Sequence, residues 1–269
     1  MIFNANMMIG GGLIGVISGM AALATVWTPH SPTRVSLSAR FQAPNPLYWL
    51  GTDEFGRDVF SRLLVGAETS ISVALATMAV ALVVGMAIGL SAGYLRGWVD
   101  RVLMSLNDTL LAFPGILFAM GLLAVIGPSK WGIVLALGLA YAPTVARVVR
   151  GSVLSLRERE FIEASRALGN CAAYTLLRHI LPNTVSPMIV LATSLFGLVI
   201  LSESALSFLG LGVPPPAPTW GNMLASARPH LERAPWLAIA PGTMIALCLL
   251  GANLLGDGVR DLLDPRSAR

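Results

Sequence analysis

Six stretches of the chain are almost unbroken in apolar residues, and the segments between them hold nearly all of its charges. They run over roughly 7–27, 70–93, 103–127, 131–149, 184–209 and 236–256. Each is long enough, or nearly so, to cross about 30 Å of hydrocarbon as a helix. Alternating strand patterns are absent, and in lipid a helix satisfies its own backbone hydrogen bonds, so all six are expected to be helical. The fourth is short and carries Pro143, which predicts a kink or burial inside the bundle. In the second, Gly85, Gly89 and Gly93 recur every four residues and share one face, where a neighbouring helix can approach closely. The spacing leaves open whether that neighbour belongs to the same chain.

Composition narrows the class. Hydrophobic residues make up 55% and charged residues 12%, with a mean hydropathy of +0.73. A soluble domain carries about 25% charged residues, so this chain could not cover a globular surface. It reads as an all-α polytopic membrane protein. The net charge of +4 comes from 17 arginines and one lysine, Lys130, against 14 acids. The arginines lie between apolar segments and form no single patch, which argues against nucleic acid. Cys171 and Cys248 stand on different segments, and His30, His179 and His230 are scattered. Neither a disulfide framework nor a metal site can be assembled from them.

Arginine and lysine in the connecting segments set the orientation. Arg96, Arg101, Arg147, Arg150, Arg157, Arg159, Arg166, Arg178, Arg260, Arg266 and Arg269 fall on one side, eleven in all. The segments 28–69, 128–130 and 210–235 hold seven over a longer total length. The denser set belongs in the cytoplasm, so both termini are expected there. The first stretch ends in Ala22-Leu23-Ala24, which resembles the cleavage site of a secretory signal. It has no basic segment ahead of it and is long for such a signal, so it reads as a retained helix.

The longest cytoplasmic connection, 147–183, has helical periodicity. Leu154, Phe161, Ala164, Ser165 and Leu168 fall on one face, and charged residues occupy much of the rest. Glu163 is spaced to pair with Arg159 and Arg166. Gly169 supplies a left-handed cap that stops the helix. A second short helical run, 171–180, ends at Pro182, where the fifth span begins. These pieces make a rigid knob on the cytoplasmic face; the competing reading is an amphipathic helix lying on the bilayer.

Glu163-Ala164-Ser165, with Gly169 six residues after the Glu and then Leu181-Pro182, resembles the EAA loop of binding-protein-dependent ABC importer permeases. Ser165 stands where the second Ala is usual, and His179 stands where Ile is usual, with Ile180 next to it. Further segments resemble one branch, the dipeptide, oligopeptide and nickel permeases, specifically the dipeptide-C type of subunit. They are Gly51-Thr52-Asp53-Glu54-Phe55-Gly56-Arg57-Asp58, Ser207-Phe208-Leu209-Gly210-Leu211-Gly212, Trp220-Gly221-Asn222-Met223, and Asn253 to Gly258 continuing through Asp264-Pro265. The resemblance implies a type I importer fold in a bacterial inner membrane, with the transmembrane domain over 70–260 and the coupling loop over 153–183. Residues 1–69 would hold the first span and an extracytoplasmic segment, and 261–269 a short tail. It also implies a second permease, two ATPase subunits that bind ATP and Mg, and an extracytoplasmic binding protein. Peptides, nickel complexes and opine-like solutes all use permeases of this kind.

A phosphate loop needs Gly-x4-Gly-Lys-Ser/Thr, and the lone lysine is followed by Trp131, so no ATP site is expected here and the chain is not itself an enzyme. Glu203, near the outer end of the fifth span, is the candidate for the solute pathway or an outer gate. Asn107, Asp108 and Asp257 sit nearer an interface and read as structural. Asp53, Arg57, Asp58 and Trp220 are candidates for contact with the binding protein, on location and resemblance. Pro214-Pro215-Pro216, with Pro218, stiffens the last outer loop. A secondary transporter would be expected to show an internal repeat and mid-membrane ionisable residues, and neither is evident. An intramembrane enzyme needs a nucleophile, base or metal set that these residues do not form.

Overall fold

The computed structural model describes residues 5–263. Asp264, Pro265, Arg266 and Arg269, used above, lie outside the described residues. Helices dominate. Those long and apolar enough to cross a membrane include α1 (Ala5–Ala24), α2 (Val59–Leu95), then α5 (Lys130–Leu156) and α10 (Trp236–Leu263). Between α2 and α5 lie α3 (Gly97–Ala112) and α4 (Gly115–Ile126). Beyond α5 come α6 (Glu160–Ala167) and α7 (Ala172–Thr175), the latter running through a π turn, Leu176–Ile180, into α8 (Leu181–Phe208). A short outer helix, α9 (Trp220–Ala227), precedes α10.

The glycine face of the second span meets α5 of the same chain. A methyl group on Gly85 would sit 2.6 Å from the Ala142 carbonyl oxygen, and one on Gly89 2.6 Å from that of Ala146. On Gly93 it would lie 2.8 Å from Val153 Cβ. Without side chains on α2, the two backbones come close enough for dispersion contacts along their whole shared length. The α1–α10 seam is built the same way: a methyl group on Gly10 would run into the Leu255 backbone amide, and one on Gly258 into Met7. Ile17 and Ala21 of α1 join the buried cluster that also holds Val59 of α2 and Cys248 of α10.

Three expected boundaries change. The stretch 103–127 is not one helix: α3 and α4 meet at 95°. Pro114 forces Phe113 into extended backbone (φ −87°, ψ 138°) and removes a donor, so the ladder cannot continue. The fourth span is not short, because α5 runs 27 residues, through Arg147 and Arg150 to Leu156. Val149 and Val153 are fully buried on the α2 glycines, and this packing carries the helix past its charged residues. Pro143 sits buried within it, its carbonyl accepting a hydrogen bond from Asn107 Nδ2 at 3.2 Å. Finally, no break occurs at Pro182, since 172–208 is one helical rod of 37 residues. The proline falls where the π turn already changes the hydrogen-bond register, so its missing N–H costs little there.

Candidate functional site

At the end of the bundle where α2 and α5 finish, the connection between α5 and α8 folds into the expected knob. Helix α6 stops in a double-bonded left-handed cap. The Gly169 amide donates to the Arg166 carbonyl at 2.9 Å, the Asn170 amide to the Ser165 carbonyl at 3.3 Å, and Gly169 has φ +78°. That conformation costs an L-residue about 1–2 kcal/mol, which is why glycine stands there. Ser165 explains itself by its bonds. Its hydroxyl shares a hydrogen bond with Thr175 at 3.1 Å and accepts one from Asn170 Nδ2 at 3.1 Å, tying α6 to α7 across the turn. An alanine could make neither. The π turn has a matching role. It takes in one extra residue, so the inward apolar position falls on Ile180, fully buried, while His179 is left half-buried against the Tyr174 ring.

The face that packs inward differs from the one the periodicity picks out. Ile162 and Ser165 are buried, and Ile162 joins Ile180, Val149, Val153 and Leu195 in one apolar cluster. Phe161 (45% exposed), Leu168 (82%), Tyr174 and Leu177 point away from the bundle, with Ala164 exposed beside them. Glu163 is also exposed and makes no ion pair, so the expected bridges to Arg159 and Arg166 are not formed. Arg166 instead lies over the Tyr94 ring, 5.2 Å from its centroid, and Arg157 donates to the Tyr94 carbonyl at 3.2 Å. Burial, with Arg166 and Arg96 close by, holds the Arg157 guanidinium below its usual range. The knob is thus pinned to the ends of α2 and α5, and its outer surface mixes apolar side chains with unpaired acids. Leu181 and Pro182 open α8, on the continuous rod that joins the knob to the bundle. Periodicity picks out Phe161 and Leu168 but not which way they face, and it misses the inward anchor Ile162, because α6 is only eight residues long.

At the opposite end, residues 51–58 and α9 build a cap. Asp53 is 5% exposed; its carboxylate accepts from the Phe55 and Arg57 amides, both at 2.9 Å, and pairs with Arg57 Nε at 2.7 Å. Asp58, 3% exposed, caps α2 by accepting from the Ser61 amide. A methyl group on Gly56 would run into the Ser36 carbonyl oxygen. Trp220 is fully buried, its indole donating to the Leu63 carbonyl, and Thr219 and Asn222 close a reciprocal capping box on α9. Asp53, Asp58 and Trp220 therefore hold the cap together from inside, and only the partly exposed Arg57 of the four candidates reaches the surface. Glu203 lies beneath α9 at 1% exposure, accepting from the Ser207 hydroxyl at 2.8 Å. It is sealed within this end of the bundle and faces no open path in this arrangement.

The model of the family described as "Binding-protein-dependent transport system inner membrane component" matches residues 85–269, a stretch that begins within the glycine face of α2 and includes the whole knob. The chain belongs to this family. It is the permease component of an ABC importer, a multi-pass membrane subunit. The dipeptide transport system permease protein DppC of Alkalihalophilus pseudofirmus is 43% identical over 257 residues, covering 95% of this permease and 84% of that protein. Glutathione transport system permease protein GsiD is 43% identical in Pectobacterium atrosepticum, over 84% of this permease and 75% of the relative. The version from Escherichia coli is 45% identical over 83% and 74%. Among solved structures, the MetNI methionine ABC transporter in inward-facing conformations shares the fold, with a TM-score of 0.61 at 17% identity over 76% of this permease and 96% of that chain.

Proposed function

We propose that this permease forms half of the solute pathway of an ATP-driven importer for peptides, and that the knob at 153–183 is the seat of an ATP-hydrolysing partner. One observation carries the reading: Phe161, Leu168, Tyr174 and Leu177 stand exposed on a knob whose own core is already closed by Ile162, Ser165 and Ile180. An apolar surface on a rigid projection, rimmed by Glu160 and Glu163, is what a partner cleft can cover and pull. The assembly comprises a second permease, two ATPase subunits holding ATP and Mg, and a binding protein meeting the cap. Peptides are the favoured solute because the relatives' names specify dipeptide and glutathione transport; nickel complexes and opine-like solutes are the alternatives. Receptor contact falls to the cap's exposed surface, with Asp53, Asp58 and Trp220 shaping it and Arg57 presented.

Expressed alone in proteoliposomes, the permease should show neither nucleotide hydrolysis nor concentrative uptake. Adding the second permease, ATPases and binding protein should create both together. Accumulation by the purified single chain on a proton or sodium gradient would replace this reading with that of a secondary transporter.

Orientation has a native probe. Cys171 is exposed in the knob and Cys248 is buried in α10. A membrane-impermeant maleimide should leave Cys171 untouched in intact cells and modify it once the inner face is opened. A cysteine introduced at the exposed Ser38 should react from outside; Thr52, fully buried, is unsuitable for this purpose. Modification of Cys171 in sealed cells would invert the topology and remove the knob from the ATPase side.

A further inference from the structure

Helix α3 is amphipathic, and only Asn107 among its residues is buried. Trp98, Val102, Leu106 and Leu110 form an exposed apolar stripe. Turned away from it, Arg101, Ser105 and Asp108 line an open cleft of about 850 Å³, closed on its far side by Arg150 of α5. Two ion pairs bridge the helices, and they differ in kind. Asp100 holds Arg150 with two short bonds, at 2.6 and 2.7 Å, and is largely covered. Asp108 meets Arg147 through one bond of 2.7 Å, with both side chains 61% exposed. Arg147 lies nine residues inside the end of α5, roughly 13 Å along its axis. Charges this open cannot face lipid cheaply, so the cleft meets water.

We propose that this cleft is a binding station for a zwitterionic solute on its way to the cytoplasm, with Asp108 receiving the ammonium group in place of Arg147 and Arg101 receiving the carboxylate. The inference rests on reading the chain as an importer permease. Three features support it. The exposed pair is weakly held, as surface pairs generally are, so a solute can exchange into it. Arg101 and Asp108 lie seven residues apart, roughly 10 Å of helix axis, which matches the roughly 10 Å of an extended tripeptide. The cleft volume falls within the range of small-molecule sites. The covered Asp100–Arg150 pair then serves as the fixed floor, and the apolar stripe is left for lipid or the second permease.

The test uses the complete importer in proteoliposomes, carrying Cys171→Ser and Ser105→Cys, with a hydrophilic methanethiosulfonate reagent supplied at the cytoplasmic face. Alanyl-alanine or trialanine should slow modification at least fivefold, and their N-acetylated, C-amidated analogues should not. Asp108→Asn or Arg101→Gln should abolish that protection. Modification that no peptide slows overturns the proposal, as does protection by the capped analogues equal to that by the free peptides. A thiol that is unreactive in the assembly also overturns it, because the face is then covered by the second permease or lipid. ATP-driven uptake by the unsubstituted complex reports separately: its absence counts against the importer reading, whereas normal uptake with an unprotected thiol sinks only this site.

Discussion

Replacing Leu168 by glutamate is expected to lower ATP-driven uptake at least tenfold while the permease reaches the membrane at wild-type abundance. Leu168 is 82% exposed, so the change disturbs no packing within the protomer. In the assembled importer the same position lies in the proposed seat of the ATPase. A charge buried there without a counter-charge costs about 3–5 kcal/mol, and each 1.4 kcal/mol is a factor of ten in binding. Glu163→Lys should act in the same direction by reversing charge at the rim. Gly169→Leu reaches the effect by another route, straining a cap with φ +78° around which there is open space. Gly169→Asn, which tolerates that conformation, should keep most of the activity. The measurements are uptake and substrate-stimulated ATP hydrolysis in reconstituted complexes. Wild-type coupling in Leu168→Glu and Glu163→Lys would remove the knob from the coupling path.

The second large effect is on stability and comes from a residue far from any site. Gly89→Leu is expected to remove the folded permease from the membrane. Its first added carbon already lies 2.6 Å from the Ala146 carbonyl oxygen and 2.7 Å from Val149 Cβ. The nearer obstacle is backbone, so no rotamer change relieves it and α2 and α5 must separate. Separation would also loosen Val149 and Val153, on which Ile162 and the knob rest. Overpacking of this kind typically costs 1–3 kcal/mol and more where the backbone must move, a large share of a marginal stability. Gly121→Ala in α4 is the control, since nothing lies within 4 Å of it, and it should be neutral or slightly stabilising. Thermal unfolding in detergent and membrane abundance would show the contrast. A Gly89→Leu protein as stable as wild type would mean that the α2–α5 contact is not close-packed.

Some of this was legible residue by residue. The cap at Gly169 was readable because a left-handed turn after a charged helix has few other occupants than glycine, and both of its backbone bonds formed as that chemistry requires. Burial of Pro143 was readable for a similar reason, since proline in a membrane helix needs neighbours to compensate for its lost donor. Trp220 and Asp53 were legible as notable and misleading as to role. A rare residue type in an outer loop draws attention equally whether it faces a receptor or anchors a cap, and only its burial separates the two. The α5 boundary was missed because charge was taken to end a span, whereas the helix continues as long as one face has glycines to rest on.

The chain by itself determined that it lives in lipid, that its elements are helices, and where the glycine-capped projection lies. These follow from terms that act locally: transfer of apolar side chains, backbone hydrogen bonds that lipid leaves no other way to satisfy, and the φ that a single residue can adopt. Tertiary structure alone decided which helix covers the Gly85–Gly89–Gly93 face, that α3 and α4 part at 95°, that a charged cleft lies between α3 and α5, and which side of α6 looks outward. Those outcomes depend on pairs of surfaces distant in sequence, such as Asp108 with Arg147 or Ile162 with Ile180. No periodicity within one segment can specify its partner in another.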